Sequence, residues 1–190
     1  MLHIKKGDEP QFLIDFKRRY PQKDYDSKEF GEYRATLKAG LIKEQRGLCA
    51  YCCSRITEQK SHNEHIEPRH PGKYVSDKSL EYTNIVASCN NLETCGNNKG
   101  NSYDAKQFIS PLDEKCEDTF TYYPNGEIIG DTYTIGLLNL NAYELKNARK
   151  SVIKVLQHLD KDTIEACYMN EEDEVYQPYY NVIKWFWKTI

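Results

Sequence analysis

The sequence predicts an α+β chain with a cysteine-rich centre flanked by helices at both ends, and three observations carry this. Apolar residues recur at helical spacing before residue 46 and after residue 140. Between them lies a stretch dense in Cys, His, Asn, Pro and Gly, with too little periodic apolar material to fold without a metal. A run of β-formers around Pro124-Asn125-Gly126 adds a hairpin. The 190 residues fit one core with helical additions, and 15 Tyr, 6 Phe and 2 Trp supply buriable area that argues against disorder.

The elements follow in order. Phe12, Leu13, Phe16 and Tyr20 mark a short amphipathic helix ending before Pro21. Phe30, Tyr33, Leu37 and Leu41 place a second helix over 27–45. A strand pair is expected around Cys49–Ile56, and a short helix near Lys78–Thr83. Phe120–Tyr123 and Glu127–Ile129 form the hairpin arms. Asn141 and Glu144 have N-cap and N3 spacing for a helix whose apolar face is Leu145, Ala148, Val152, Val155, Leu156 and Leu159. Val182, Ile183, Trp185 and Phe186 belong to a terminal helix that closes the protein's own core in preference to docking on a partner. Three segments result: an N-terminal helical part (1–46), a metal-bearing core (47–103), and a hairpin with C-terminal helices (104–190).

No apolar run approaches the roughly 20 residues of a membrane span, and the first residues lack the apolar stretch of a signal peptide, so a cytoplasmic protein is expected. In that reducing setting seven Cys, four of them in one central block, point to metal and not to cystines. The net charge of −3 excludes a strongly basic nucleic-acid coat. It is unevenly spread: residues 34–73 carry a net +4 (Arg34, Lys38, Lys43, Arg46, Arg55, Lys60, Arg69 and Lys73 against four acids), and residues 74–139 a net −6.

Within the block, Cys49 and Cys52 form a Cys-x-x-Cys knuckle, and Cys89 and Cys95 are the natural second pair. Four thiolates make a closed tetrahedral zinc site that is structural. Cys53 is a substitute ligand, whereas Cys116 and Cys167 are bystanders. His65 stands beside Glu64 and shortly before Pro68. A neutral imidazole can take a proton from water while an adjacent carboxylate holds a divalent metal on a phosphate. Asn84, about twenty residues on, could orient that imidazole.

Cys49-x-x-Cys52, Glu64-His65-Ile66-x-Pro68, Asn84-Ile85-x-x-x-Cys89 and Cys95-x-x-x-Lys99-Gly100 together resemble a zinc-stabilised HNH (ββα-metal) nuclease. The opening Ile4–Pro10, the Thr134–Asn141 stretch and the aromatic tail resemble one branch, the PtuB-like HNH proteins of Septu-type and retron-associated antiphage systems. The resemblance implies a ββα-metal core, Cys49, Cys52, Cys89 and Cys95 as zinc ligands, His65 as general base, Glu64 in place of the usual metal-binding Asp, and Asn84 as the middle Asn. It further implies Mg²⁺ or Mn²⁺ as catalytic ion, DNA before RNA as substrate, and a PtuA-like ATPase as partner docking on 141–190. Many zinc-bearing members place His or Asn directly after the last Cys. Here that place is Gly96, so Asn97 is expected to supply the ligand, with Asn98 and His62 as alternatives. Lys99 or Arg69 could contact phosphate. The rival functions are a catalytically silent zinc module and a thiol oxidoreductase using Cys49 and Cys52, which needs a solvent-accessible thiolate.

Overall fold

A computed structural model describes residues 1–72, 75–170 and 172–190. Lys73 of the basic segment lies outside the described residues. Helix α1 (Gln11–Arg19) buries Leu13 and Phe16, and its last turn carries Lys17, Arg18 and Arg19, which suit the negative end of the helix dipole. Phe16 packs edge-on to Phe30 at 4.9 Å, in a single 3₁₀ turn (Lys28–Phe30) that leads into α2 (Tyr33–Glu44). The helix expected over 27–45 is therefore split, with Gly31 between the two pieces. Leu37 and Leu41 of α2 are buried against the central sheet.

That sheet has two antiparallel strands, β1 (Ser61–His65) and β2 (Ile85–Cys89), in the register Ser61↔Cys89 through His65↔Ile85. The strand pair expected at Cys49–Ile56 is not formed there; a tight turn takes its place, with a single bridge between Leu48 and Arg55. An extended chain would alternate side chains to opposite faces and keep Cys49 and Cys52 from converging. Instead the Cys53 amide donates back to Cys49 O at 3.0 Å, and Cys53 takes a positive φ of 59°. Gln45, buried at the end of α2, clamps this turn to the sheet. Its Nε2 donates to Leu48 O (2.8 Å) and Ala87 O (2.9 Å), and its Oε1 accepts from Ala87 N (2.6 Å). The helix expected near 78–83 is two 3₁₀ turns, Asp77–Leu80 and Tyr82–Asn84.

After β2 comes α3 (Cys95–Lys99), so the centre runs strand, strand, helix, with α3 against β2. Helix α4 (Cys116–Thr119) leads to the expected hairpin, β3 (Thr121–Tyr122) and β4 (Ile128–Ile129). Helices α5 (Thr132–Leu137), α6 (Tyr143–Leu156), α7 (Lys161–Tyr168) and α8 (Tyr180–Thr189) complete the chain.

Two details of α6 differ from expectation. Its N-cap is Ala142, because the Asn141 amide is used elsewhere: it accepts from Ile128 N and donates to Ile128 O, both at 2.9 Å, extending the hairpin. Its buried stripe is Leu145, Arg149, Ile153 and Leu156, and Val155 is exposed. The stripe is disguised in sequence by Arg149, whose guanidinium is buried because Gly126 O (2.7 Å) and Leu140 O (2.8 Å) accept its hydrogen bonds. Val182 and Ile183 of α8 are buried and Trp185 and Phe186 pack on the core, as expected. The main core runs from Met1 and Leu13 through Ile85–Ala87 to Ile153 and Val182. Among the described residues no helix is long and apolar enough to cross a membrane.

Candidate functional site

Two local constructions meet across β2. The first gathers Cys49 and Cys52 from the turn, Cys89 from the end of β2, and Cys95 from the start of α3. All four are buried, and their sulfurs lie within 4.8 Å of one another. Four sulfurs around one zinc at about 2.3 Å stand roughly 3.8 Å apart, so the cluster is of the size to hold such an ion. The backbone is shaped to it: Cys89 N points at Cys49 Sγ (3.3 Å), and Cys95 adopts φ +57° while its amide donates to Leu138 O. Hydrogen bonds from Cys49, Cys52 and Cys95 hold the Cys89 thiol far below its ordinary range, and the same sharing pushes Cys52 and Cys95 well above it.

Cys53 belongs to a separate apolar cluster with Leu48 and Ile164, and burial pushes its thiol up to about 11. Cys116 is likewise buried and raised to about 12, whereas Cys167 is exposed. None of the three joins the cluster. Cys49 and Cys52 are 1% and 3% exposed, which removes the accessible thiolate that an oxidoreductase needs.

The second construction is at the end of β1. Glu64 and His65 line one cleft of about 240 Å³ together with His62, Arg69, Gly96 and Asn97. Glu64 is held from within. Its Oε1 is 3.0 Å from Lys99 Nζ and accepts from Tyr51 OH at 3.3 Å. Lys99 is 1% exposed, and also donates to His65 O (3.0 Å) and Gly100 O (3.2 Å). It therefore fixes the strand end and the carboxylate from inside, and is not available to an incoming phosphate as the sequence suggested. The other oxygen, Oε2, faces His62 and the bare backbone of Gly96, where a Cβ would lie only 2.6 Å from it.

His65 is buried edge-on against Tyr25, ring centres 4.7 Å apart. Its Nε2 lies 2.8 Å from the Ser79 carbonyl. A carbonyl only accepts, so Nε2 carries the proton and Nδ1 keeps the lone pair. Burial lowers the imidazole to about 4, so it is neutral at pH 7.

Asn84 does not orient His65. Its Oδ1 accepts from Glu67 N (2.8 Å), and its Nδ2 donates to Glu67 O (3.0 Å) and Lys78 O (3.2 Å). It ties the loop after β1 to the start of β2, and the orienting role falls to Ser79 O. Asn97 lies on the rim of the cleft, but its amide donates to Asn91 O, and that of Asn98 donates to Leu137 O. Both side-chain amides are thus tied to backbone carbonyls, although Asn97 still lines the cleft beside Glu64. Arg69 is paired with Asp26 and stacked on Tyr25. Other cations of the basic segment are also engaged: Arg34 with Tyr25 O, Lys38 with Ser61 O, Arg46 with Asp173 O and Arg55 with Tyr176 O.

Sequence reasoning missed Tyr51, Ser79 and the inner role of Lys99. Of these, only Tyr51 carried a signal, as the aromatic residue inside the knuckle.

No family model matches the chain. It is similar to an Escherichia coli protein described as "Retron Ec83 putative HNH endonuclease", 29% identical over 140 residues that take in 69% of this chain and 50% of that protein. The chain thus spans about half the length of the curated relative it matches. The cysteine cluster, the Glu64–His65 pair and the strand–strand–helix order lie on the residues that carried the resemblance, and the chain is similar to a protein described as an HNH endonuclease.

Proposed function

We propose that this chain is a metal-dependent nuclease with a ββα-metal core, formed by β1, β2 and α3, that hydrolyses phosphodiester bonds, of DNA before RNA. The observation that carries this reading is the pairing of Glu64 with a neutral, oriented His65 at one cleft, beside four clustered cysteines. Cys49, Cys52, Cys89 and Cys95 would hold a structural zinc, which leaves no open position for chemistry. Glu64 would hold Mg²⁺ or Mn²⁺, which when bound supplies charge neutralisation at the scissile phosphate and leaving oxygen.

The chain's own groups do the rest. His65 Nδ1 accepts a proton from the attacking water as its oxygen bonds to phosphorus and the scissile P–O bond breaks, the leaving oxygen departing as an alcohol once it takes a proton from solvent; Ser79 O holds the ring in the competent tautomer. Lys99 and Tyr51 keep Glu64 from swinging out of the cleft. Arg69, partly exposed on the cleft rim, contributes positive charge for the backbone of the nucleic acid. Among the described residues no element presents a row of side chains for base edges, and non-specific or weakly specific cutting is the expectation.

The likeness to PtuB-like proteins and to a retron-associated relative supports a role as the effector of an antiphage system with a PtuA-like ATPase, in the cytoplasm. Within 141–190 the large apolar side chains left exposed, Tyr143, Val155, Val175 and Ile190, are where such a partner would be sought.

The test is plasmid cleavage by purified protein with Mn²⁺. His65→Ala should lose about 10²–10⁴-fold in rate, while zinc content and melting temperature report that it is folded. Wild-type cleavage by that variant, with contaminating nuclease excluded, removes His65 from the mechanism.

A further inference from the structure

The resemblance placed a metal-binding side chain where this chain has Gly96, yet the space beside that glycine is filled. A Cβ built there would meet Glu64 Oε2 at 2.6 Å and His62 Nε2 at 2.9 Å. His62, two residues before Glu64 on β1, therefore puts its ring on the same strand face and into the room that a side chain from α3 would use.

The hydrogen bonds around His62 settle which nitrogen faces Glu64 with a lone pair. Asn90 Nδ2 donates to Gln59 O at 3.2 Å, so its Oδ1 is the atom turned toward His62. That oxygen lies 3.0 Å from His62 Nδ1, which must then carry the proton. Nε2 is left with its lone pair, 3.5 Å from Glu64 Oε2. Two acceptors aimed at each other need a cation or a proton between them. The separation exceeds the roughly 2.7–2.9 Å of a charge-assisted hydrogen bond. Two cis ligands at about 2.1 Å from one ion stand about 3.0–3.4 Å apart, close to what is seen. An Nδ1–H donated to an amide or carbonyl oxygen is also the usual support of a metal-binding histidine.

We propose that His62, on the strand and not on the helix, is the second protein ligand of the catalytic metal, binding through Nε2 beside Glu64 Oε2, with Asn90 fixing its tautomer. The proposal rests on the nuclease reading above. An imidazole nitrogen in the shell favours first-row transition ions, Mn²⁺ included, over Mg²⁺, which takes oxygen ligands. Water and substrate phosphate fill the remaining positions on the open side of the cleft.

The experiment is Mn²⁺ titration of zinc-loaded protein without nucleic acid, followed by electron paramagnetic resonance. Pulsed measurements then read nitrogen coupling to the bound ion. Wild type should bind one exchangeable Mn²⁺ with directly bonded imidazole nitrogen. His62→Ala should lose the coupling and weaken binding ten-fold or more. His62→Gln, which keeps much of the bulk, should also lose the coupling, while His65→Ala, Asn97→Ala and Asn98→Ala should keep it. Unchanged coupling and affinity in both His62 variants overturns the assignment while leaving the nuclease reading in place. So does loss of coupling in His65→Ala with retention in His62→Ala. If wild type binds no Mn²⁺ beside the zinc, His62 and Glu64 are an ion pair only, and the metal-dependent reading fails with the proposal.

Discussion

Replacing Lys99 by Met tests how the site is held together. The Lys99 ammonium is 1% exposed and the Glu64 carboxylate 10%, so neither is screened by water to any extent. Lys99→Met keeps most of the stem's apolar volume and removes the charge. Three acceptors lose their donor at once: Glu64 Oε1, His65 O and Gly100 O. Glu64 keeps only Tyr51 OH at Oε1, at 3.3 Å. Breaking a buried pair by deleting one partner costs about 3–5 kcal/mol, because the other charge is left uncompensated. Against a total stability of about 5–15 kcal/mol this is a large fraction, worth roughly 10 °C in melting temperature for a chain of this length. Urea denaturation of the zinc-loaded protein gives the difference directly. The double variant Lys99→Met/Glu64→Gln should recover part of the loss, since no bare carboxylate remains to be buried. A loss below about 1 kcal/mol for Lys99→Met, with no recovery in the double variant, would refute the view that this pair is a buried, mutually dependent unit.

Two other perturbations address the frame around the site. Cys49→Ser should yield insoluble or zinc-free protein, because a thiolate zinc site contributes on the order of 10 kcal/mol of apparent binding free energy; a soluble variant with one zinc per chain by elemental analysis contradicts the assignment. Asn84→Ala should cost about 1–3 kcal/mol by leaving Glu67 and Lys78 backbone groups without their partner. That loss should appear in chemical denaturation with Mn²⁺ affinity unchanged, and a selective loss of Mn²⁺ binding would instead place Asn84 at the metal.

The sequence by itself determined the parts whose signal is local. Helical spacing marked α1 and α8, the Pro124-Asn125-Gly126 turn marked the hairpin, and the Cys-x-x-Cys knuckle with Cys89 and Cys95 marked the cluster that the fold does bring together. Adjacency in the chain likewise made Glu64 and His65 a pair. What only the tertiary structure decided depends on long-range pairing. Strand β1 reads Ser-His-Asn-Glu-His and has no apolar alternation; it is held by β2, 20–28 positions away in register, and by Lys99 from α3, 34 and 35 positions from His65 and Glu64. The α6 stripe hid behind Arg149, a charge that can be buried only where Gly126 and Leu140 carbonyls converge on it. The orienting partner of His65 is a backbone carbonyl, which has no residue type and leaves no mark in a sequence. The same holds for the face of α3. A one-residue change in helix phase turns a side chain by about 100°, and that phase is set by where Cys95 must point. The cluster fixes Cys95, and on the helix that follows the Asn97 and Asn98 amides donate to backbone carbonyls, while His62 stands beside Glu64 on β1.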